Sequence, residues 1–93
     1  MSARHPDEQN RVNEIVQQTL ARAARLPDSQ ITESCRMFDL GIDSVAMMSA
    51  VVMLEAPLTI RISEENLIRL FMAEDVAEVI VLASDMVRET HAV

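Results

Sequence analysis

At 93 residues the chain has room for one small hydrophobic core and not for two. Hydrophobic side chains make up 49% and aromatics only 2%, with no Trp or Tyr, which excludes a disordered chain and favours packed helices over a sandwich or barrel. The net charge is −7 and unevenly placed: residues 1–37 hold five arginines and five acids, residues 38–93 three arginines and ten acids, which argues against nucleic-acid binding and suits basic partner surfaces.

Residues 1–8 are polar, include Pro6 and are expected to form a loose N-terminal tail without the apolar core of a signal peptide. Val12, Ile15, Val16, Thr19, Leu20 and Ala23 then recur at helical spacing, with Arg11, Glu14, Gln17, Gln18 and Arg22 on the other face. They predict a first helix over about Gln9 to Arg25, closed by Pro27-Asp28-Ser29. Residues 26–43 hold Ile31, Met37, Phe38, Leu40 and Ile42 without a clean period. A loop of that length in a compact domain is expected to pack and to carry function. Its Cys35 is the single cysteine, so no internal disulfide can form and nothing argues for secretion.

The loop ends in Phe38-Asp39-Leu40-Gly41-Ile42-Asp43-Ser44, which holds the chain's one glycine. A lone Gly between hydrophobic residues marks a tight turn at positive φ, and Asp43-Ser44 stands where a helix begins. A serine hydroxyl there lies beside the positive end of the helix dipole, which favours an attached phosphate. The following run from Ser44 to Ala56 is apolar almost all round and is expected to stop at Pro57. Ala50, Val51 and Leu54 are its expected inward stripe, leaving Val45, Met48, Val52 and Met53 partly exposed as a partner surface.

Leu58 to Ile62 alternates apolar and polar but has no second strand to pair with, so it reads as an extended loop. Ser63-Glu64-Glu65 is a helix start, and a short helix from Glu64 to Phe71 would bury Leu67, Leu70 and Phe71. The last helix, about Asp75 to Glu89, places Val76, Val79, Ile80, Ala83 and Met86/Val87 on one face. Apolar stretches such as Val79 to Ala83 are far too short to span a bilayer, so a cytoplasmic protein with no membrane partner is expected.

Leu40-Gly41-Ile42-Asp43-Ser44 ahead of a helix resembles the L-G-x-D-S signature of acyl carrier proteins. The resemblance covers roughly residues 9–90 and implies an all-α fold: a small four-helix bundle with three long helices, one short helix and a long first loop, which Phe38, Leu40 and Ile42 would anchor to the core, followed by a tail at 91–93. It implies 4′-phosphopantetheine esterified to Ser44, whose thiol holds intermediates as thioesters, with Leu40, Gly41 and Asp43 as supporting motif residues. Asp43 would cap the helix or present an acid to the basic phosphopantetheinyl transferase that installs the arm. Further partners would be an acyl- or aminoacyl-loading enzyme and downstream synthase or transferase enzymes, and the carrier itself would be a non-catalytic monomer.

Carriers of fatty-acid synthesis have several acids along the second helix, whereas here Val45 and Ser49 stand one and five residues after Ser44 and only Glu55 is acidic. Recognition through Val45, Met48, Ser49, Val52 and Glu55 is therefore expected to lean on apolar packing, with Asp39, Asp43, Glu64 and Glu65 steering. That points to a dedicated carrier in a polyketide or nonribosomal-peptide (antibiotic-type) pathway. Aminoacyl and peptidyl carriers more often read L-G-G-x-S, and Ile42 replaces the second glycine here, yet an aminoacyl cargo stays open. From another class, an unmodified acidic helical adaptor could use the Met-rich second helix to bind a partner groove.

Met47, Met48 and Met53 could line an acyl pocket, although methionines at helical spacing more often fill cores and interfaces. Cys35 reads as partly buried and inert rather than as a second reactive thiol. His5 and His91 fall in the tails, no Ser-His-Asp set can be placed, and the acids lack metal-loop spacing.

Overall fold

A computed structural model describes residues 6–91, with side chains from residue 8 onward; His5 and the outermost parts of both expected tails lie outside the described residues. Among the described residues four α-helices follow one another: α1 (Pro6–Ala24), α2 (Ser44–Leu58), α3 (Glu64–Phe71) and α4 (Val76–His91). No strand occurs among the described residues, only one antiparallel bridge pairing Arg36 with Asp75. Helix α1 packs against α2 and α4, and the short α3 lies against both α2 and α4. The expected all-α bundle of three long helices and one short one is what the chain forms.

Helix α1 starts at Pro6, three residues before its expected start, because proline's fixed φ and missing N–H suit a helix's first turn. Val12, Val16 and Leu20 form its buried ridge with Thr19 and Ala21, while Ile15 and Ala23 are only partly buried. It ends in a Schellman turn: Leu26 N–H donates to the Ala21 carbonyl at 2.9 Å and Arg25 N–H to that of Arg22 at 3.2 Å. Arg25 sits there at φ 59°.

Helix α2 runs through Pro57 to Leu58 rather than stopping at Ala56. Pro57 removes only the bond back to Met53, and the end is secured by other means. Thr59, at φ 54°, donates to the Ala56 carbonyl and Ile60 N–H to that of Glu55, a second Schellman turn. Arg11 Nη2 donates to the Pro57 carbonyl at 2.7 Å, and the buried Leu58 holds the turn against the core. The inward stripe of α2 is Met47, Ala50, Val51, Leu54 and Leu58, the three expected residues with one more at each end. Leu54 and Leu58 are almost wholly buried, and each such side chain contributes about 1.5–3 kcal/mol.

Helix α3 has the expected bounds, and the Ser63 hydroxyl accepts the Asn66 N–H at 3.2 Å as its cap. Leu70 is buried at 1% exposure and Leu67 is partly buried, but Phe71 is 39% exposed, contrary to expectation. Adjacent helical residues lie about 100° apart, so seating Leu70 in the core swings Phe71 aside. All six residues expected on the inner face of α4 are buried: Val76, Val79, Ile80, Ala83, Met86 and Val87. The helix extends to His91, which is therefore not a tail residue.

The long first connection contains two single-turn 3-10 segments, Asp28–Gln30 and Phe38–Leu40. It is held from both sides. Ile31 is buried, and its carbonyl accepts Gln17 Nε2 at 3.2 Å. Farther along, the Glu33 and Cys35 carbonyls accept the first N–H groups of α4, from Ala77 at 3.0 Å and Val76 at 2.9 Å. Met37 N–H donates to the Glu74 carbonyl at 2.9 Å. Leu40 and Ile42 pack against the core as expected, but Phe38 does not anchor the loop: its ring is 91% exposed. Met37 occupies the inward position of this tight turn, and the next residue is carried outward.

Candidate functional site

Gly41 closes the Phe38–Leu40 turn in the left-handed conformation, φ 70° and ψ 24°, with its N–H on the Phe38 carbonyl. A Cβ built there would meet nothing within 4 Å, so the requirement for glycine is conformational and not one of space. Two residues later Asp43 is the N-cap of α2, in extended conformation, and its Oδ1 accepts the Ala46 N–H at 2.8 Å. The Asp43 carbonyl accepts the Met47 N–H at 2.8 Å, the first bond of the helix.

Ser44 is therefore the first residue of α2, and it is exposed. Among the described residues its hydroxyl has no hydrogen-bond partner, and no acceptor meets the N–H groups of Ser44 or Val45. These are two of the donors a helix cannot satisfy internally. A negative group at such a position gains about 0.3–1 kcal/mol from the helix dipole when exposed. The Asp43 carboxylate already takes part of that advantage, so the mouth of α2 is a modest anion site and above all an accessible hydroxyl.

Beside Ser44 lies an open groove of about 270 Å³, walled by Met37, Ile42, Met47, Leu70, Phe71 and Ala73. The three methionines considered as pocket lining are thus dispersed. Met47 faces this groove; Met53 lines a separate hollow with Ile15, Thr19 and Pro57; Met48 is half exposed on the surface. Sequence reasoning missed Met37 and Phe71 as neighbours of Ser44. The signal for Phe71 was present in the helical angle between it and Leu70. Nothing local pointed to Met37, which arrives through the bond from its N–H to the Glu74 carbonyl.

The residues expected to meet partners divide. Val45 is 77% exposed, and with Met48 and Val52 it forms an apolar stripe at helical spacing, with Ser49 exposed alongside. Glu55 lies toward the far end of α2 and is half-buried. Its Oε2 accepts the Ile62 N–H at 2.8 Å, fastening the loop after α2, so this carboxylate has a structural task. Asp39, Glu64 and Glu65 are exposed, and Glu65 pairs with Arg69 at 3.7 Å on the surface of α3. Such an exposed pair contributes little.

Cys35 is half-buried and its sulfur sits among three polar groups: the Thr32 hydroxyl at 3.3 Å, the Thr32 N–H at 3.4 Å and the Gln30 carbonyl at 3.4 Å. Hydrogen bonding from the Thr32 hydroxyl, then from its N–H, holds the thiol below its ordinary pKa. Among the described residues no three His, Cys, Asp or Glu side chains converge in a way that could hold a metal ion. No described helix is long and apolar enough to cross a membrane.

The family model described as phosphopantetheine attachment site matches residues 14–80, which include the turn, the α2 mouth and the groove. No curated protein and no solved structure matches the chain.

Proposed function

The chain belongs to the phosphopantetheine attachment site family, whose members carry 4′-phosphopantetheine covalently on a serine, and we propose that Ser44 is that serine in a carrier of acyl intermediates. One observation supports the assignment above others: Ser44 is exposed, and its hydroxyl is without a partner among the described residues, at the first position of a helix inside the matched region. When bound, the arm supplies a terminal thiol on which an acyl group is held as an activated thioester. The chain's own residues do the positioning. Gly41 turns the backbone, Asp43 fixes the first turn of α2, and Leu40 and Ile42 bury the loop that carries both.

On this reading the protein is a non-catalytic, monomeric, cytoplasmic carrier. A phosphopantetheinyl transferase modifies it, and acyl-loading and downstream synthase or transferase enzymes visit it in turn. Partner contacts fall on Val45, Met48, Ser49 and Val52, so they are weak and apolar, as a hand-over between enzymes requires. The low acidity of α2 favours a dedicated polyketide or nonribosomal-peptide pathway over housekeeping fatty-acid synthesis, and Ile42 in place of a second glycine favours acyl over aminoacyl cargo. Loading by a coenzyme-A-dependent acyltransferase, compared with loading by an adenylating enzyme, separates those two cargoes.

The test of the attachment residue is an intact-mass measurement after incubation with a broad-specificity transferase and coenzyme A. The wild-type chain gains one phosphopantetheine, Ser44→Ala gains none, and Ser49→Ala gains one. An unchanged wild-type mass would return the protein to the class of unmodified helical adaptors.

A further inference from the structure

Outside the α2 stripe of Val45, Met48 and Val52, the most exposed large apolar side chains among the described residues are Phe38, at 91%, and Met72, on another segment, at 72%. They do not belong to the α2 stripe. The bond from Met37 to Glu74 and the antiparallel bridge from Arg36 to Asp75 lay their two segments side by side. Met37 and Ala73, the inward neighbours of Phe38 and Met72, both wall the groove that holds Ser44. Phe38 and Met72 therefore stand on the border of that groove.

The mounting of Phe38 is firm. Its 3-10 turn is closed by Asp39 and Leu40 N–H groups on the Arg36 carbonyl, Leu40 on Met37 and Gly41 on Phe38 itself. An aromatic ring presented on a hydrogen-bonded turn needs little further ordering when it is buried by a partner, which is the property of an anchor residue. The charges around it have one dominant sign. Asp39, Asp43 and Glu74 are exposed, Arg36 is the one cation on these segments, and among the described residues none of the three acids is in a salt bridge. An apolar pocket bordered by basic side chains is the complement.

We propose that the Phe38–Met72 border is the docking surface for the enzyme that esterifies Ser44; this rests on Ser44 being the attachment residue. The reason to choose that enzyme is one of reach. In the transfer the Ser44 oxygen forms a bond to the pantetheine-side phosphorus of coenzyme A, and the diphosphate bond to that phosphorus breaks. Adenosine 3′,5′-bisphosphate leaves with the bonding electrons, and the hydroxyl proton passes to a base on the enzyme. Bond formation brings that enzyme's surface onto the residues around Ser44. Enzymes acting at the far end of the arm face no such constraint.

The experiment follows the rate of mass increment with a broad-specificity transferase and coenzyme A at varied carrier concentration. It compares wild type, Phe38→Ser, Met72→Ser and, as a control, Val81→Ser, an exposed apolar residue of α4 outside the groove. Circular dichroism and thermal melts confirm that all four chains are folded alike. Phe38→Ser lowers kcat/KM about tenfold through KM, with kcat near wild type, and Met72→Ser lowers it less. Val81→Ser matches wild type, and added salt raises KM for the wild-type chain. A wild-type kcat/KM for Phe38→Ser, or an equal loss in Val81→Ser, overturns the docking surface while leaving Ser44 in place. No increment on the wild-type chain removes the Ser44 reading and the docking surface with it.

Discussion

Helices α2 and α4 are nearly equal in length, 15 and 16 residues, and both begin with an aspartate cap, yet their N-termini are finished differently. At α4 the long loop closes the mouth. The Cys35 and Glu33 carbonyls take the Val76 and Ala77 N–H groups, Asp75 Oδ1 takes that of Glu78, and Glu78 Oε1 reaches back to the Glu74 N–H. At α2, among the described residues, only Ala46 and Met47 are served, both by Asp43, and the first two N–H groups have no acceptor, on a residue pair that is exposed and carries the Ser44 hydroxyl. One helix start has been used to hold the fold together. The other is built to the same plan and left open, which is the condition a residue needs if another molecule is to be joined to it.

Substitutions can break or sharpen this contrast. The largest effect belongs to the closed end: Ile31→Ala, which removes the buried anchor of the closing loop, is expected to cost about 2–5 kcal/mol in a urea titration. A loss below 1 kcal/mol would mean that the loop's backbone bonds hold it unaided. Next comes Gly41→Ala. Space is free but φ 70° is not, so about 1–2 kcal/mol should be lost. Gly41→Asn should lose less, because a short polar side chain tolerates that conformation.

The two caps form the sharpest pair. Asp43→Ala and Asp75→Ala should each cost about 1 kcal/mol. Asp75→Ala should also speed amide exchange at Glu78, whereas in Asp43→Ala the amide that speeds up should be Ala46. The smallest effect is at the open end. Val45→Ser changes stability by less than about 0.5 kcal/mol, since the residue is 77% exposed. A cost above 1 kcal/mol would show that the α2 mouth is packed after all.

Much of this was legible one segment at a time. Ser63-Glu64-Glu65 fixed the start of α3 because a hydroxyl cap and first-turn acids act on backbone groups within three residues. The inner face of α4 followed from spacing alone, since a single face of a helix must be the buried one. The turn at Gly41 and the cap at Asp43 were readable for the same reason: φ preference and capping are properties of a residue and its nearest neighbours.

Other features were not readable locally. Pro57 reads as a stop, and the helix nonetheless completes its turn because Arg11, more than forty residues earlier, supplies a donor to its carbonyl. Glu55 reads as a partner contact, and its carboxylate instead holds the Ile62 N–H seven residues on. Phe38 and Phe71 read as core because they are large and apolar. Which of two adjacent apolar residues turns inward is decided by what waits on the other side, and here Met37 and Leu70 hold those places.

The sequence by itself determined the helices, the turn that needs glycine and the capped serine, because each depends on dihedral preference and hydrogen bonds over a few residues. Only the tertiary structure decided that one helix mouth is filled and the other open, and that Phe38 and Met72 border the open one. Those outcomes depend on where a distant stretch of chain comes to rest, which is set by burial of the whole core rather than by any neighbour in sequence.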